Sequence, residues 1–165
     1  RKAKGFGLTL LYYDVVKQET EVEKELGAKH VSLEELLKTS DFITINSAYN
    51  PSLRHMISTP EFDMMKKTAY LINCARGPIV SEEALVKALE NKKIEGAALD
   101  VYEFEPKISD VLKKMENVVL TPHIGNATFE TREQMALCAV KNIINVFNGV
   151  EPYSAINKYK NYKIK

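Results

Sequence analysis

Tyr70-Leu71-Ile72-Asn73-Cys74-Ala75-Arg76-Gly77-Pro78 is the stretch on which the fold turns. A short apolar run ends in a polar side chain, and an arginine follows at once, held on a tight turn by the Gly and Pro behind it. The same layout recurs downstream. Gly96-Ala97-Ala98-Leu99 leads into Asp100 and Glu105, and Val118-Val119-Leu120 leads into Thr121-Pro122-His123. As parallel strands of one sheet, these runs would gather Arg76, Glu105 and His123 at its carboxyl edge, where open α/β sheets bind ligands. A guanidinium, a carboxylate and an imidazole in one place can hold an anion and move a proton.

Outward from these runs, apolar segments alternate with helix-like ones, which is the α/β rhythm. Leu8 to Tyr13 reads as a strand closed by Asp14, Glu19 to Leu26 as a helix stopped by Gly27, and Ala28 to Val31 as a brief strand. Ser32 caps a helix from Leu33 to Lys38, with Glu35 at the capping-box position. Phe42 to Ile45 is a strand, and Pro60 to Lys66 a short helix. Ser81 caps Glu82 to Asn91, where Ala84, Leu85, Ala88 and Leu89 share one face. Ser109 is placed to cap a short helix. Thr128 to Asn148 reads as a long helix with Met135, Ala139, Ile143 and Phe147 spaced for burial. The strand runs are continuously apolar, not alternating, which predicts a parallel sheet covered on both faces. The expected class is α/β, a doubly wound parallel sheet.

Bulk composition narrows the function. The chain has 165 residues, 45% of them hydrophobic and 27% charged, ordinary for a globular chain. A net charge of +1 gives no general attraction to nucleic acid or acidic membranes. No apolar stretch approaches the roughly 20 residues of a membrane span. Cys74 and Cys138 form neither a metal-type spacing nor a disulfide framework, and no other cluster has metal-ligand spacing. A reducing, cytoplasmic setting is the expectation. The lysine-rich stretch from Lys158 to Lys165 reads as a terminal tail.

Single residues sharpen the picture. Asp14 follows the first strand, where dinucleotide folds place an acidic residue against the adenosine ribose; its charge would repel the extra phosphate of NADP. Gly5-Phe6-Gly7 is not a phosphate loop: position 10 is Leu10, and the pair precedes a strand instead of following one. It reads as the end of a helix followed by a turn. His123 directly follows a strand, and a nearby Glu105 would fix its tautomer. His30 and His55 lack such a setting and read as surface residues.

Together these segments resemble the D-isomer-specific 2-hydroxyacid dehydrogenase family. The carrying pieces are Leu11-Tyr12-Tyr13-Asp14, Asn73-Cys74-Ala75-Arg76-Gly77-Pro78-Ile79-Val80, Ala98-Leu99-Asp100-Val101-Tyr102-Glu103-Phe104-Glu105-Pro106 and Thr121-Pro122-His123-Ile124-Gly125. The resemblance implies a Rossmann-like domain that binds NAD. It implies that Arg76 binds the carboxylate and carbonyl of a small 2-keto acid, that His123 protonates the carbonyl oxygen, and that Glu105 orients His123 and helps keep it protonated. It assigns Asp14 to the adenosine ribose and Asp100 to the nicotinamide amide. Ser47, Ala48, Cys74, Ala75 and Arg76 would line the cofactor groove. Glyoxylate, hydroxypyruvate or a related acid is the implied substrate, and a homodimer the implied assembly. Relatives of this fold that act as NAD-sensing corepressors keep the same three residues, so a binding module or an inactive dimerising domain stays open as an alternative.

Two departures stand out. The family's His-x-Pro segment is replaced here by Asn46-Ser47-Ala48-Tyr49-Asn50-Pro51. The glycine-rich loop and first strand are not found, so residues 1–152 read as a partial NAD-binding domain, cut after the phosphate loop, and residues 153–165 as a tail. The pyrophosphate normally rests on the helix start that follows that strand. The isolated 165-residue chain is therefore expected to bind NAD weakly or not at all. Calorimetric titration giving a micromolar affinity would overturn this.

Overall fold

The computed structural model describes residues 2–155. Six parallel strands form among them, in two sheets. β1 (Leu10–Tyr12) pairs with β2 (Ala28–His30). β3 (Phe42–Ile45), β4 (Tyr70–Asn73), β5 (Gly96–Leu99) and β6 (Val118–Leu120) make the second sheet in that order. Helices α1 (Thr20–Leu26), α2 (Leu33–Thr39), α3 (Thr59–Met64) and α4 (Glu82–Glu90) fall between strands, and α5 (Phe129–Phe147) follows the last. The chain divides into two compact units, Arg1–His123 and Ile124–Lys165. The tail from Lys158 to Lys165 lies outside the described residues.

In the first unit the core lies between one face of the four-stranded sheet and α2, α3 and α4. Leu37, Phe62, Leu85 and Leu89 from the helices meet Ile43, Ile45, Leu71, Ala97 and Leu99 from the strands. Burial along β3 and β4 alternates, which corrects the expectation of a sheet covered on both faces. Ile43 and Leu71 are buried while Phe42 is 61% exposed and Val119 of β6 is 64% exposed. Successive side chains on a pleated strand point to opposite faces. Here the outward positions are apolar too, so the sequence shows an unbroken apolar run although one face is open. The Phe42 and Tyr70 rings stack on that open face, 5.7 Å between centroids.

Helix ends follow local chemistry. The Ser32 hydroxyl accepts the Glu35 N–H at 3.1 Å, capping α2. The Glu35 carboxylate does not return to the cap; it takes the Lys29 ammonium at 3.1 Å. At α3 the reach is made, with Glu61 Oε2 accepting the Ser58 N–H at 2.9 Å. Ser81 caps α4, accepting the Ala84 N–H at 3.4 Å. Ser109 caps no helix: a single 3₁₀ turn, Leu112–Lys114, forms beyond it, and its hydroxyl accepts the Val111 N–H. Gly5-Phe6-Gly7 closes a 3₁₀ turn (Ala3–Phe6), with Gly7 in the left-handed region.

Within the second unit, α5 forms over nearly the expected range, but its apolar stripe is not buried. Met135 is 62% and Phe147 68% exposed. A helical stripe needs a facing apolar element, and the described part of this unit offers only the short segment that follows Gly149.

The one-sided core sets a contrast. Leu71→Ala should cost about 2–5 kcal/mol of stability, as for a fully buried leucine, and Val119→Ala about 0.5 kcal/mol or less. Urea denaturation reads both; equal losses would mean that the Val119 face is covered in solution.

Candidate active site

Three strand ends build the site. At the end of β4, Asn73 is 1% exposed and staples the following turn. Its Oδ1 accepts the Ala75 N–H and its Nδ2 donates to the Arg76 carbonyl, both at 3.1 Å. Arg76 itself is exposed, with Nη1 donating to the Ala75 carbonyl at 2.6 Å. The next residue must be glycine. A Cβ on Gly77 would sit 1.8 Å from the Tyr102 carbonyl oxygen, so the Arg76 turn abuts the Tyr102–Glu103 peptide.

The β4–β5–β6 ladder continues past the strand ends. The Asp100 N–H donates to the Asn73 carbonyl at 3.0 Å, and the Thr121 N–H to that of Leu99 at 2.9 Å. The Tyr102 hydroxyl bridges the same two loops, donating to the Thr121 carbonyl at 2.7 Å and lying 3.2 Å from that of Leu99. Glu105 is held from two sides. Its Oε1 accepts the Tyr102 N–H at 3.0 Å, and its Oε2 lies 3.1 Å from His123 Nδ1. His123 takes a φ of +53°, a left-handed conformation costing on the order of 1 kcal/mol for a residue with a Cβ.

Burial pushes the Glu105 carboxyl up, but the Tyr102 N–H, the His123 contact and the Arg76 charge outweigh it and hold Glu105 below the ordinary carboxylate range. An ionised carboxylate only accepts. The hydrogen in this contact therefore sits on His123 Nδ1, and Nε2 is left to exchange a proton. Glu105 and His123 are 38% and 48% exposed, so a small molecule can reach them. Glu105 and His123 are thus in contact, and Arg76, past the end of the neighbouring β4, lies near enough for its charge to act on Glu105.

The predicted cofactor residues also follow strand ends. Asp14, past β1, is exposed, and its Oδ1 accepts the Val16 N–H at 3.2 Å. Ser47, Ala48 and Cys74 are exposed and Ala75 is buried. An open carboxylate at the β1 end and small side chains past β3 and β4 fit the ribose and nicotinamide ends of NAD. Asp100 is 6% exposed, and its Oδ1 accepts the Thr121 hydroxyl at 2.6 Å, a structural bond that the sequence does not announce. The described residues contain no glycine-rich phosphate loop.

His30 and His55 are not the plain surface residues expected. His30 Nε2 lies 3.1 Å from the Asp14 carbonyl, and its ring lies 5.0 Å from that of Tyr12. His55 Nε2 lies 2.6 Å from the carboxylate of Glu103, a residue that sequence reasoning passes over. Nothing in a loop reading Glu103-Phe104-Glu105 says which carboxylate turns inward.

Gly77→Ala should force the two loops apart. Overpacking of this kind costs about 1–3 kcal/mol, and thermal unfolding should show it. A Gly77→Ala variant as stable as the parent would refute the close approach.

The family model for the D-isomer specific 2-hydroxyacid dehydrogenase NAD binding domain matches residues 1–125. A protein of Staphylococcus epidermidis named as a 2-hydroxyacid dehydrogenase is 59% identical over 157 residues, 95% of this chain and 49% of that protein. A solved glyoxylate reductase from Paecilomyes thermophila superposes with a TM-score of 0.87 at 38% identity, over 96% of this chain and 48% of that one. The D-lactate dehydrogenase of Aquifex aeolicus, solved with NAD and lactic acid, gives 0.82 at 36% identity, over 90% and 49%. The chain spans about half the length of the curated relatives it matches. With a parallel sheet that carries an arginine, a carboxylate and an imidazole to its carboxyl edge, the chain belongs to the NAD-dependent D-isomer specific 2-hydroxyacid dehydrogenase family, in its NAD-binding domain.

Proposed function

We propose that the protein reduces a small 2-keto acid, glyoxylate, hydroxypyruvate or a close analogue, to the D-2-hydroxy acid, with residues 1–152 serving as cofactor domain. NADH, when bound, supplies the hydride for the carbonyl carbon. The chain's own residues do the rest. The Arg76 guanidinium is exposed on its turn and matches a carboxylate in two parallel hydrogen bonds. It also draws negative charge toward the carbonyl oxygen as that charge develops. His123 Nε2 gives its proton to this oxygen, leaving an alcohol, while Nδ1 stays on Glu105. In the reverse direction the neutral ring takes the proton back.

The observation that carries this reading is the 3.1 Å contact between Glu105 Oε2 and His123 Nδ1, beside the Arg76 charge. Asp14 would accept the adenosine ribose hydroxyls and disfavour NADP. Asp100 would meet the nicotinamide amide. Ser47, Ala48, Cys74, Ala75 and Arg76 would line the groove. A homodimer in the cytoplasm is part of the same reading. Among the described residues no helix is long and apolar enough to cross a membrane.

Turnover of glyoxylate with NADH by the intact protein tests the reading. His123→Ala should lower it by about 10²–10⁴-fold, the range for a lost general acid. Arg76→Ala should lower it comparably through lost orientation. Glu105→Gln should move the basic limb of kcat/KM to lower pH, because the site loses the negative charge beside its proton donor. Full activity of His123→Ala would end the proposal.

A further inference from the structure

The first unit holds a second histidine–carboxylate contact that the chemistry above does not use. Glu103 lies two residues before Glu105, and its side chain is 4% exposed. Three donors converge on it. Arg54 Nη2 and His55 Nε2 donate to Oε1 at 2.9 and 2.6 Å, and the Glu82 N–H donates to Oε2 at 3.0 Å. The Glu103 N–H donates in turn to Glu82 Oε2 at 3.3 Å, so the loop and the start of α4 grip each other. The His55 N–H donates to the Pro78 carbonyl at 2.8 Å, two residues past Arg76. One buried carboxylate thus joins the Arg54–His55 segment, the Arg76 turn and the loop that carries Glu105. Burial pushes Glu103 up, yet the Glu82 N–H, His55 and Arg54 hold it below the ordinary carboxylate range; Glu82 and Glu83 are like charges nearby.

We propose that Glu103, gripped by His55 and Arg54, is a positioning residue that sets the Glu105 carboxylate against His123. The proposal rests on the catalytic reading of that pair. Only Phe104 separates the two carboxylates, and at 60% exposure it is anchored by no burial of its own. Upstream, Tyr102 is pinned by its hydroxyl, and its N–H holds Glu105 Oε1. Glu103 supplies the second fixed point, so direction in the loop is set on both sides of the Tyr102–Glu103 peptide. A hydrophobic anchor would keep the loop close without fixing its orientation. Directional bonds to a buried ion fix both, at a desolvation cost that its three donors offset. The carboxylate is also the only side chain that accepts from all three donors at once: glutamine would turn an NH₂ toward one of them.

The test uses the intact protein and two readouts that a merely structural role leaves alone. One is the basic limb of the kcat/KM pH profile with glyoxylate and NADH. The other is the ¹⁵N signature of the Nδ1–H tautomer in the neutral His123 ring. His55→Leu and Glu103→Gln should move the limb downward, in the same direction as Glu105→Gln, and should mix the tautomers. His55→Gln, whose amide N–H still donates to Glu103, should restore both. Folded His55→Leu with the parent limb and the parent tautomer overturns the proposal, and it decides alone if Glu103→Gln does not fold. An inactive parent protein would refute the catalytic reading, while the tautomer readout would still decide the positioning claim.

Discussion

The continued register of three parallel strands beyond their formal ends is the constraint on which the site depends. The Asp100 N–H on the Asn73 carbonyl and the Thr121 N–H on that of Leu99 carry the ladder into the loops. Each bond is an ordinary backbone pair, worth about 1 kcal/mol net. Their geometric effect is larger. They leave the turn after β4, the loop after β5 and the turn after β6 no independent freedom, so side chains 29 and 18 positions apart in the chain meet at one edge. Catalysis built on orientation needs that stiffness, because effective molarity falls steeply when reacting groups drift.

Glycine completes what the ladder begins. Gly77 lets the Arg76 turn touch the Tyr102–Glu103 peptide. The arginine turn and the carboxylate loop are therefore packed directly against each other. This explains why Arg76, although exposed and bonded, among the described residues, within its own turn, still lies near enough to Glu105 to draw its carboxyl down.

The strands and their order of use were legible because an apolar run that stops at a charge is a local signal. Phe42–Ile45 and Gly96–Leu99 sit where the sequence reading puts them. That Arg76, Glu105 and His123 each follow one of three adjacent parallel strands was legible in the same way. What escaped was set by neighbours distant in the chain. The open face at Phe42, Tyr70 and Val119 is invisible because apolar residues occupy both faces of each strand. The exposed stripe of α5 is invisible because periodicity reports that a helix has an apolar side, not that something covers it. His55 looked like a surface residue since its partner, Glu103, lies 48 positions away.

The two histidine–carboxylate contacts show how burial divides labour between identical chemistries. Glu103 is 4% exposed and saturated by donors. Its carboxylate is shielded from water, so it holds geometry but offers nothing to a substrate. Glu105 is 38% exposed and has one oxygen on a backbone N–H and the other on His123, whose side chain is 48% exposed. A proton on that ring can leave for a bound molecule and return. Exchanging the burial of the two pairs would cost both roles. An exposed Glu103 would be screened too well to fix the loop, and a buried Glu105–His123 pair would have no partner to which a proton could be passed. The dipeptide spacing between the carboxylates permits this split, since one turn of loop can send one side chain inward and the other to the edge.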